Sequence, residues 1–208
     1  MKSAMLGAGL FLGAVSVLAQ PASEPGKAPG LAIGAKAPEA QLRTIDNEAV
    51  KLSSLYEKGP VVIAFYRGGW CPYCILVFFF WQGRVEDLKA AGATLVAITP
   101  EKPSKVKDTM KKDHLDFKIL SDAKLEAAKG FKVFFTLDAA TQKKYKSFGA
   151  DLEQWNASGT WDLPAPGTFV IDQTGTVRYA FADWDYKKRA RPDDVIAAVK
   201  ALGKDGKK

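Results

Sequence analysis

Two apolar runs separated by a helical pattern constrain the fold of this chain more than any other feature. Residues 61–66 and 94–99 are nearly uninterrupted apolar stretches of the length that strands buried on both faces have. Residues 72–91, which lie between them, lack strict alternation and precede Gly92, so they predict a helix ended by a glycine. Two strands of one sheet that are joined by a helical crossover are parallel, and such a crossover is right-handed. The pattern therefore predicts a βαβ unit.

The rest of the chain extends this unit. In one predicted strand, Val177, Tyr179 and Phe181 alternate with other residues and are expected to share one face. The further predicted elements are a short polar helix at 103–113, a strand at 117–120, helical pieces with loops over 124–161, a hairpin of strands 168–171 and 177–181 around the turn 172–175, and a helix from Pro192. This order predicts a thioredoxin-like α/β fold with a central mixed sheet flanked by helices.

The first residues have the features of a secretory signal. Lys2 precedes an uncharged, mostly apolar run at 4–19, and Val17 and Ala19 are small residues where a signal peptidase cleaves. We therefore expect residues 1–19 to be removed and the protein to be periplasmic or secreted. A retained membrane anchor is the alternative, but the apolar run is shorter than the ~20 residues that a spanning helix needs.

The remaining chain is expected to form one domain. Residues 20–33 are rich in proline and glycine and predict a flexible leader, residues 34–203 form the thioredoxin-like domain, and residues 204–208 form a polar tail. The net charge is +7, and removal of Lys2 with the signal leaves 29 − 23 = +6. The lysines are spread along the chain without a motif that reads bases, so we expect a solvated basic surface and no nucleic-acid partner.

Both cysteines of the chain lie in one short motif, at positions 71 and 74. A disulfide that closes so small a loop stabilises a fold very little, which favours redox chemistry over a structural role. Cys71 should lie at a helix N-terminus, where unpaired N–H groups favour a thiolate. With His114 as the only other soft or borderline ligand, a closed four-ligand zinc site is not expected. No metal or other cofactor is predicted.

Four segments resemble the peroxiredoxin-like branch of the AhpC/TSA (alkyl hydroperoxide reductase/thiol-specific antioxidant) superfamily. They are FYRGGWCPYC at 65–74, LSDA at 120–123, LPAPGTFVID at 163–172 and RYAFADWDYKKRARP at 178–192. The likeness covers about residues 34–202. It implies a thioredoxin fold and an antioxidant thiol peroxidase that reduces hydroperoxides, with a Cys71–Cys74 disulfide reduced by a thioredoxin-like partner.

The motif departs from the family pattern at several positions. The peroxiredoxin pattern PxxxTxxC falls on residues 67–74, where only its peroxidatic cysteine is matched, by Cys74. The family arginine before the later TF strand falls on Pro166, a position at which thioredoxins have a cis-proline. Thioredoxins also place their nucleophile at the position of Cys71, which is expected to be the more exposed sulfur. The order of attack stays open, as do an alternative action on protein disulfides and a binding module without enzymatic activity.

Four further residues or segments were considered for a role at the site. Arg67 is the only cation of the motif that could stabilise a departing oxygen, and a solvated surface arginine is the alternative interpretation. Trp70 either shields the disulfide and contacts partners or belongs to the core. The segment Ile75-Trp81 is apolar all round a helix, so it must be buried on every side or meet a partner or a membrane, and a homodimer through this helix is our hypothesis. His114 is expected to be exposed and not catalytic.

Overall fold

The computed structural model describes residues 28–205, so the predicted signal, most of the leader and residues 206–208 lie outside the described part. The strands are β1 (Gln41–Arg43), β2 (Ala49–Lys51), β3 (Val61–Phe65), β4 (Thr94–Thr99), β5 (Lys118–Ser121), β6 (Phe134–Thr136), β7 (Asp162–Pro164), β8 (Gly167–Ile171) and β9 (Val177–Ala182). The helices are a 3₁₀ turn (Leu52–Leu55), α1 (Pro72–Gln82), α2 (Val85–Ala90), α3 (Pro103–Lys112), α4 (Glu126–Gly130), α5 (Ala139–Ser147), α6 (Leu152–Trp155) and α7 (Pro192–Asp205).

A seven-stranded mixed sheet forms the centre of the fold, in the order β2-β1-β5-β4-β3-β8-β9. Strands β3, β4 and β5 are parallel to one another, and β8 and β1 pair antiparallel on either side of them. All five residues of β3 are buried, as are all but the first of β4. The predicted βαβ unit and the mixed sheet are therefore confirmed.

Helices cover both faces of the sheet. One face packs against α1, α2, α3 and α7, and its apolar cluster contains both cysteines. The other face packs against the 3₁₀ turn and α4. A smaller cluster joins α6 to β7. Among helices of residues 28–205, none combines the length and the apolar character required to cross a bilayer.

The single helix predicted over residues 72–91 is wrong, because the chain forms two helices there. Gly83 ends α1, with its N–H bonded to the carbonyl oxygen of Phe79 at 3.4 Å. Arg84 then leaves the helical conformation at φ −122° and ψ 4° before α2 begins. Glycine has the lowest helix propensity after proline, about 1 kcal/mol below alanine, so the break at this position is explained.

The prediction that Val177, Tyr179 and Phe181 share one face is also wrong in part. A register shift in the β8–β9 pair sets Val170 opposite Tyr179 but Ile171 opposite Val177. Tyr179 and Phe181 consequently pack on the face that holds the cysteines, whereas Val177 lies in the core of the opposite face. Such a bulge reverses the side-chain alternation that the sequence pattern assumes.

The segment predicted as helical pieces with loops contains more than helices. Within residues 124–161 the structure has α4, α5 and α6, as expected, but also β6, which pairs antiparallel with β7 outside the main sheet. The short strands β1 and β2 were not predicted. Each has three residues, too few to show a clear alternation.

Candidate functional site

A turn of two glycines connects β3 to α1 and determines how the site residues are placed. Gly68 has φ +149°, and a Cβ atom there would lie 2.2 Å from Nε1 of Trp70. A Cβ atom on Gly69 would lie 2.0 Å from Oγ1 of Thr109 in α3. Both contacts are closer than atoms can approach, so the turn accepts only glycine at these positions. The turn places Cys71 at the N-cap of α1, directly before Pro72.

The two cysteines lie together as free thiols. Cys71 caps the N-terminus of α1, Cys74 lies in its first turn, and the two residues approach to 3.3 Å. The proximity of the two cysteines, which the sequence predicted, is present in the structure. The sequence also predicted that Cys71 would be the more exposed sulfur, but both are buried: Cys71 is 2% exposed and Cys74 1%.

The two thiols have opposite pKa shifts. The pKa of Cys71 is lowered to about 6, first because the thiol of Cys74 donates a hydrogen bond to it, and also because Arg67 and Arg189 are positively charged. Burial raises the pKa of Cys74 well above its ordinary value, and the bond to Cys71 and the Cys71 charge raise it further. Near neutral pH the pair therefore consists of one thiolate and one thiol.

Arg67 is buried, which contradicts its interpretation as a solvated surface residue. Its guanidinium carbon lies 5.1 Å from the ring centre of Trp70, 5.3 Å from that of Tyr145 and 4.6 Å from that of Tyr186. It donates a hydrogen bond to the hydroxyl of Tyr145, while its Nε has no hydrogen-bond partner in the described chain. Cation–π contacts with three rings therefore hold this charge beside Cys71.

The segment between β9 and α7, residues 183–191, lies over the N-terminus of α1, and we call it the C-terminal strap. Its Tyr186 packs edge-on against Tyr73, with ring centres 5.4 Å apart. Its Arg189 is half-buried and places Nη2 3.5 Å from Sγ of Cys74. The same side chain donates to the carbonyl oxygens of Tyr186 and Lys188, which fixes the guanidinium against the strap. The strap therefore contributes a second cation to the cysteine pair.

Trp70 and Pro166 both lie beside the site. Trp70 is partly buried and packs at the edge of the cysteine-containing core, and its ring lies 5.5 Å from that of Tyr145. Pro166 is buried directly before β8, and the register Phe65↔Gly167 places it next to the end of β3. All peptide bonds of residues 28–205 are trans. Pro166 thus matches the thioredoxin pattern in residue type but not in conformation.

The apolar helix α1 is not buried on every side. Cys74, Phe78 and Trp81 face the core, whereas Phe79 is 74% exposed and Phe80 56%. Leu76 and Tyr73 extend this exposed surface toward the cysteines. We refer to Tyr73, Leu76, Phe79 and Phe80 as the α1 apolar face.

The other candidate metal ligands do not join the two cysteines in a metal site. His114 is exposed, as predicted, but it follows the end of α3 in a left-handed conformation at φ 53°. Within residues 28–205, no three His, Cys, Asp or Glu side chains are close enough together to bind a metal ion. The site's chemistry is that of two sulfurs, two guanidinium groups and their aromatic surroundings.

Four residues at the site were not identified from the sequence: Glu101, Tyr145, Tyr186 and Arg189. Tyr186 and Arg189 fall within the segment 178–192 that carries the family resemblance, and this was the only signal for them. Glu101 lies two residues after the end of β4, and polar residues beyond the carboxyl end of a buried strand often serve a site. No sequence pattern pointed to Tyr145.

Sequence comparison relates the chain to known proteins. Residues 33–180 match the AhpC/TSA family. The chloroplastic peroxiredoxin Q of Oryza sativa subsp. japonica is 32% identical over 148 residues, which are 71% of this chain and 58% of that protein. Peroxiredoxin Bcp of Escherichia coli (strain K12) is 26% identical over 166 residues, which are 80% of this chain and 93% of that protein. The chain therefore spans less than two thirds of the length of the rice protein.

Solved structures show the same fold. Peroxidoxin BcpB from Mycobacterium tuberculosis has a TM-score of 0.63 at 21% identity, covering 82% of this chain and 97% of that one. A peroxiredoxin-like protein from Aquifex aeolicus has a TM-score of 0.66 at 19% identity, covering 84% and 89%. These similarities confirm the predicted thioredoxin-like fold class.

Proposed function

This chain belongs to the AhpC/TSA family, and from that premise we propose that it is a thiol peroxidase of the peroxiredoxin type that cycles between a Cys71/Cys74 dithiol and a disulfide. The observation that carries the proposal is the paired geometry of the two cysteines, which approach to 3.3 Å while the pKa of Cys71 is lowered to about 6. Such a pair holds a nucleophilic thiolate at neutral pH, with a second sulfur already in position to resolve the oxidised form.

In the first step, the Cys71 thiolate attacks the terminal oxygen of a hydroperoxide. The O–O bond breaks, Cys71 becomes a sulfenic acid, and the departing alkoxide takes a proton and leaves as an alcohol or as water. The positive charges of Arg67 and Arg189 both act on Cys71, so we assign their guanidinium groups to stabilise the developing negative charge. Both are held in place before the reaction, Arg67 by the three rings and Arg189 by the strap carbonyls.

In the second step, Cys74 attacks the sulfenic sulfur of Cys71. A disulfide forms, the S–O bond breaks and water is released. We propose that a thioredoxin-like dithiol then reduces this disulfide, becoming oxidised itself. Because both sulfurs are buried beneath the strap, the reductant has access only after the strap or the start of α1 moves.

The family motif and the structure differ on which sulfur reacts first. The motif places the peroxidatic cysteine at Cys74, but its pKa is raised by burial, whereas the Cys71 thiol is largely ionised near pH 7. We therefore assign the first attack to Cys71. A sulfenic acid trapped by a dione reagent on Cys71 in the Cys74→Ser variant supports this assignment. Trapping on Cys74 in the Cys71→Ser variant, with none on Cys71, would reverse it.

Action on protein disulfides is the less favoured function. A protein disulfide is bulky and both sulfurs are buried, which favours a small hydroperoxide as the substrate. The discriminating experiment compares consumption of hydrogen peroxide with reduction of insulin disulfides, in the presence of thioredoxin and thioredoxin reductase. We expect peroxide consumption that each Cys→Ser substitution lowers and little insulin reduction. Fast insulin reduction without peroxide consumption would overturn the proposal, and inactivity of the folded protein in both assays would favour a binding module.

We further propose that two copies associate through the α1 apolar face. A surface without charged residues that is exposed beside an active site is typical of an interaction surface, and a two-fold dimer would cover it with its own equivalent. Sedimentation over micromolar concentrations should show a dimer that Phe79→Lys dissociates. Phe148→Lys is the matched control, because Phe148 is equally exposed, at 72%, and lies outside this face. A monomer at all concentrations would refute the association.

The cellular location is likewise a proposal that rests on residues 1–19. We expect export followed by cleavage before Gln20, so fractionation should place the protein in the periplasm or the medium. N-terminal sequencing of the exported protein should begin at Gln20. An uncleaved protein in the membrane fraction would instead support the retained anchor.

A further inference from the structure

A buried carboxyl group lies against the glycine turn, and the steps above do not use it. The side chain of Glu101 is fully buried, and its Oε1 accepts the N–H of Gly69 at 3.0 Å. Its Oε2 accepts the hydroxyl of Tyr66 at 3.1 Å. The carboxyl group therefore binds both ends of the segment 66–69, which carries Arg67.

The contact between this carboxyl group and the turn is close. A Cβ atom on Gly68 would lie 3.1 Å from Cδ of Glu101, so the carboxyl group packs against the turn as well as accepting a hydrogen bond from it. Gly69 also lies against Thr109 of α3, where a Cβ atom would come within 2.0 Å of Oγ1. The turn consequently has little room to change its conformation while Glu101 is in place.

Glu101 is itself anchored to parts of the chain other than the turn. Its carbonyl oxygen accepts the hydroxyl of Ser121 at the end of β5. The next residue, Lys102, donates its N–H to the carbonyl oxygen of Trp155 at 2.9 Å, and an antiparallel bridge pairs Glu101 with Asn156. A side chain on a backbone fixed in this way can serve as a rigid support for the turn.

The conformation of the turn determines where Cys71 lies. The N–H of Cys71 donates to the carbonyl oxygen of Gly68 at 3.1 Å, so the residue is bonded directly to the turn. Arg67 belongs to the same segment, and its positive charge is one of the causes that lower the pKa of Cys71. A different conformation of the turn would therefore move both the thiol and one of the cations beside it.

We propose that Glu101 is a positioning residue for the first step: it fixes the glycine turn and thereby keeps Cys71 beside Arg67 in a reactive arrangement. This rests on the attack by Cys71 proposed above. Within residues 28–205 the carboxyl oxygens of Glu101 bond to the turn and to hydroxyl groups and not to sulfur. Glu101 therefore acts through the turn and does not enter the reaction.

Two substitutions separate the reach of this side chain from its charge. Burial raises the pKa of the Glu101 carboxyl to about 7, and the group can accept an N–H in either charge state. Glu101→Gln keeps an oxygen that can accept the N–H of Gly69 but removes the charge. Glu101→Asp keeps the carboxyl group but is one methylene shorter, so it cannot reach both Gly69 and Tyr66. Loss of a nearby negative charge alone does not raise the pKa of a thiol, so a rise indicates a displaced turn.

The test measures the pKa of Cys71 in the reduced protein by thiolate absorbance, and the rates of reaction with hydrogen peroxide and with iodoacetamide at pH 7. Glu101→Asp should raise this pKa and slow both reactions about fivefold to thirtyfold, where the upper value corresponds to full return to the ~8.5 of a free cysteine. Glu101→Gln should stay within about twofold of the native rates. Asp122→Ala is the control, because Asp122 is a buried carboxyl group that caps α4 on the opposite face of the sheet, and its loss should leave the pKa of Cys71 unchanged.

The outcomes distinguish this inference from the proposed function. An unchanged pKa of Cys71 in Glu101→Asp would overturn the inference. An equal change in Glu101→Gln would assign the effect to the charge, an equal change in Asp122→Ala would assign it to lost stability, and either would also overturn it. If Glu101→Asp does not fold, Tyr66→Phe decides, because it removes one bond of the carboxyl group and keeps the ring that packs against Phe78; the pKa of Cys71 should rise, and no rise would refute the role. A native protein that reacts with iodoacetamide but not with peroxide would contradict the proposed function, whereas the thiolate titrations would still test Glu101.

Discussion

The stability of the reduced protein should rise with pH above neutrality, and Cys71 should account for the rise. The pKa of Cys71 is lowered to about 6 by the hydrogen bond from Cys74 and by the two arginines. A cysteine in an unfolded chain has a pKa of about 8.5. Between these values the folded state carries a thiolate and the unfolded state a thiol, so the unfolded state binds more protons and the free energy of unfolding increases with pH. The contribution is lost as the pH falls through about 6.

The size of the effect follows from the two pKa values. Each pH unit over which the two states differ by a full proton changes the free energy of unfolding by about 1.4 kcal/mol. From pH 7 to pH 8 the Cys71 contribution amounts to about 1 kcal/mol. Glu101 opposes it by a few tenths of a kcal/mol, because burial raises its pKa to about 7 and the folded state keeps a proton that the unfolded state has lost. Subtracting the pH dependence of the free energy of unfolding of Cys71→Ser removes the contribution of Glu101 and those of the other titrating groups.

The assay is urea unfolding at pH 7 and pH 8, with a phosphine reductant to keep both thiols reduced and tryptophan fluorescence as the signal. The native protein should gain about 1 kcal/mol more than Cys71→Ser over this interval. Cys74→Ser removes the thiol that donates to Cys71 and should give an intermediate gain. Equal pH dependence in the native protein and Cys71→Ser would show that Cys71 carries no depressed pKa, and the assignment of the first attack would fail with it.

Two further predictions concern the surroundings of the thiolate. Arg67→Met should raise the pKa of Cys71, measured as thiolate absorbance against pH, because it removes a buried positive charge, and an unchanged titration would show that Arg67 has no electrostatic role. Gly69→Ala should destabilise the protein by about 1–3 kcal/mol in thermal or urea unfolding, since its Cβ would lie 2.0 Å from Thr109. Gly83→Ala is the control, because its nearest neighbour would be 3.7 Å away, and equal losses would contradict the steric argument.

The parts of the fold that the sequence predicted are those determined locally. The two buried strands and the start of α1 at Pro72 follow from short apolar runs and from a residue that suits a first helical turn. The bulge between β8 and β9 was missed because it depends on how the two strands pair, and alternation within one strand does not reveal it. The break at Gly83 could have been predicted from the sequence, because a glycine inside a helical pattern lowers the helix propensity of that segment.

The site was predictable to the extent that its chemistry is contained in one motif. The two cysteines are three residues apart, so a helix alone brings them together. Arg189 approaches Cys74 from 115 positions away, and the Tyr145 that binds Arg67 is 78 positions away from it. These contacts arise from the tertiary fold. They also explain why the solvated interpretation of Arg67 was wrong: two of the three rings around its charge, those of Tyr145 and Tyr186, are distant in the sequence.

Burial is the first cause of the raised pKa of Cys74, and the hydrogen bond between the two thiols contributes to both of the opposite shifts. The thiol and the N–H of Cys74 both favour the charged form of Cys71, and each lowers its pKa. The thiol bond raises the pKa of Cys74 by the same interaction, since Cys74 must lose the proton that stabilises its neighbour. The pair therefore shares one proton. This proton leaves Cys71 as the nucleophile of the first step, and it keeps Cys74 protonated until Cys71 has been oxidised. Oxidation of Cys71 removes its negative charge, so the pKa of Cys74 should fall only when its attack is needed.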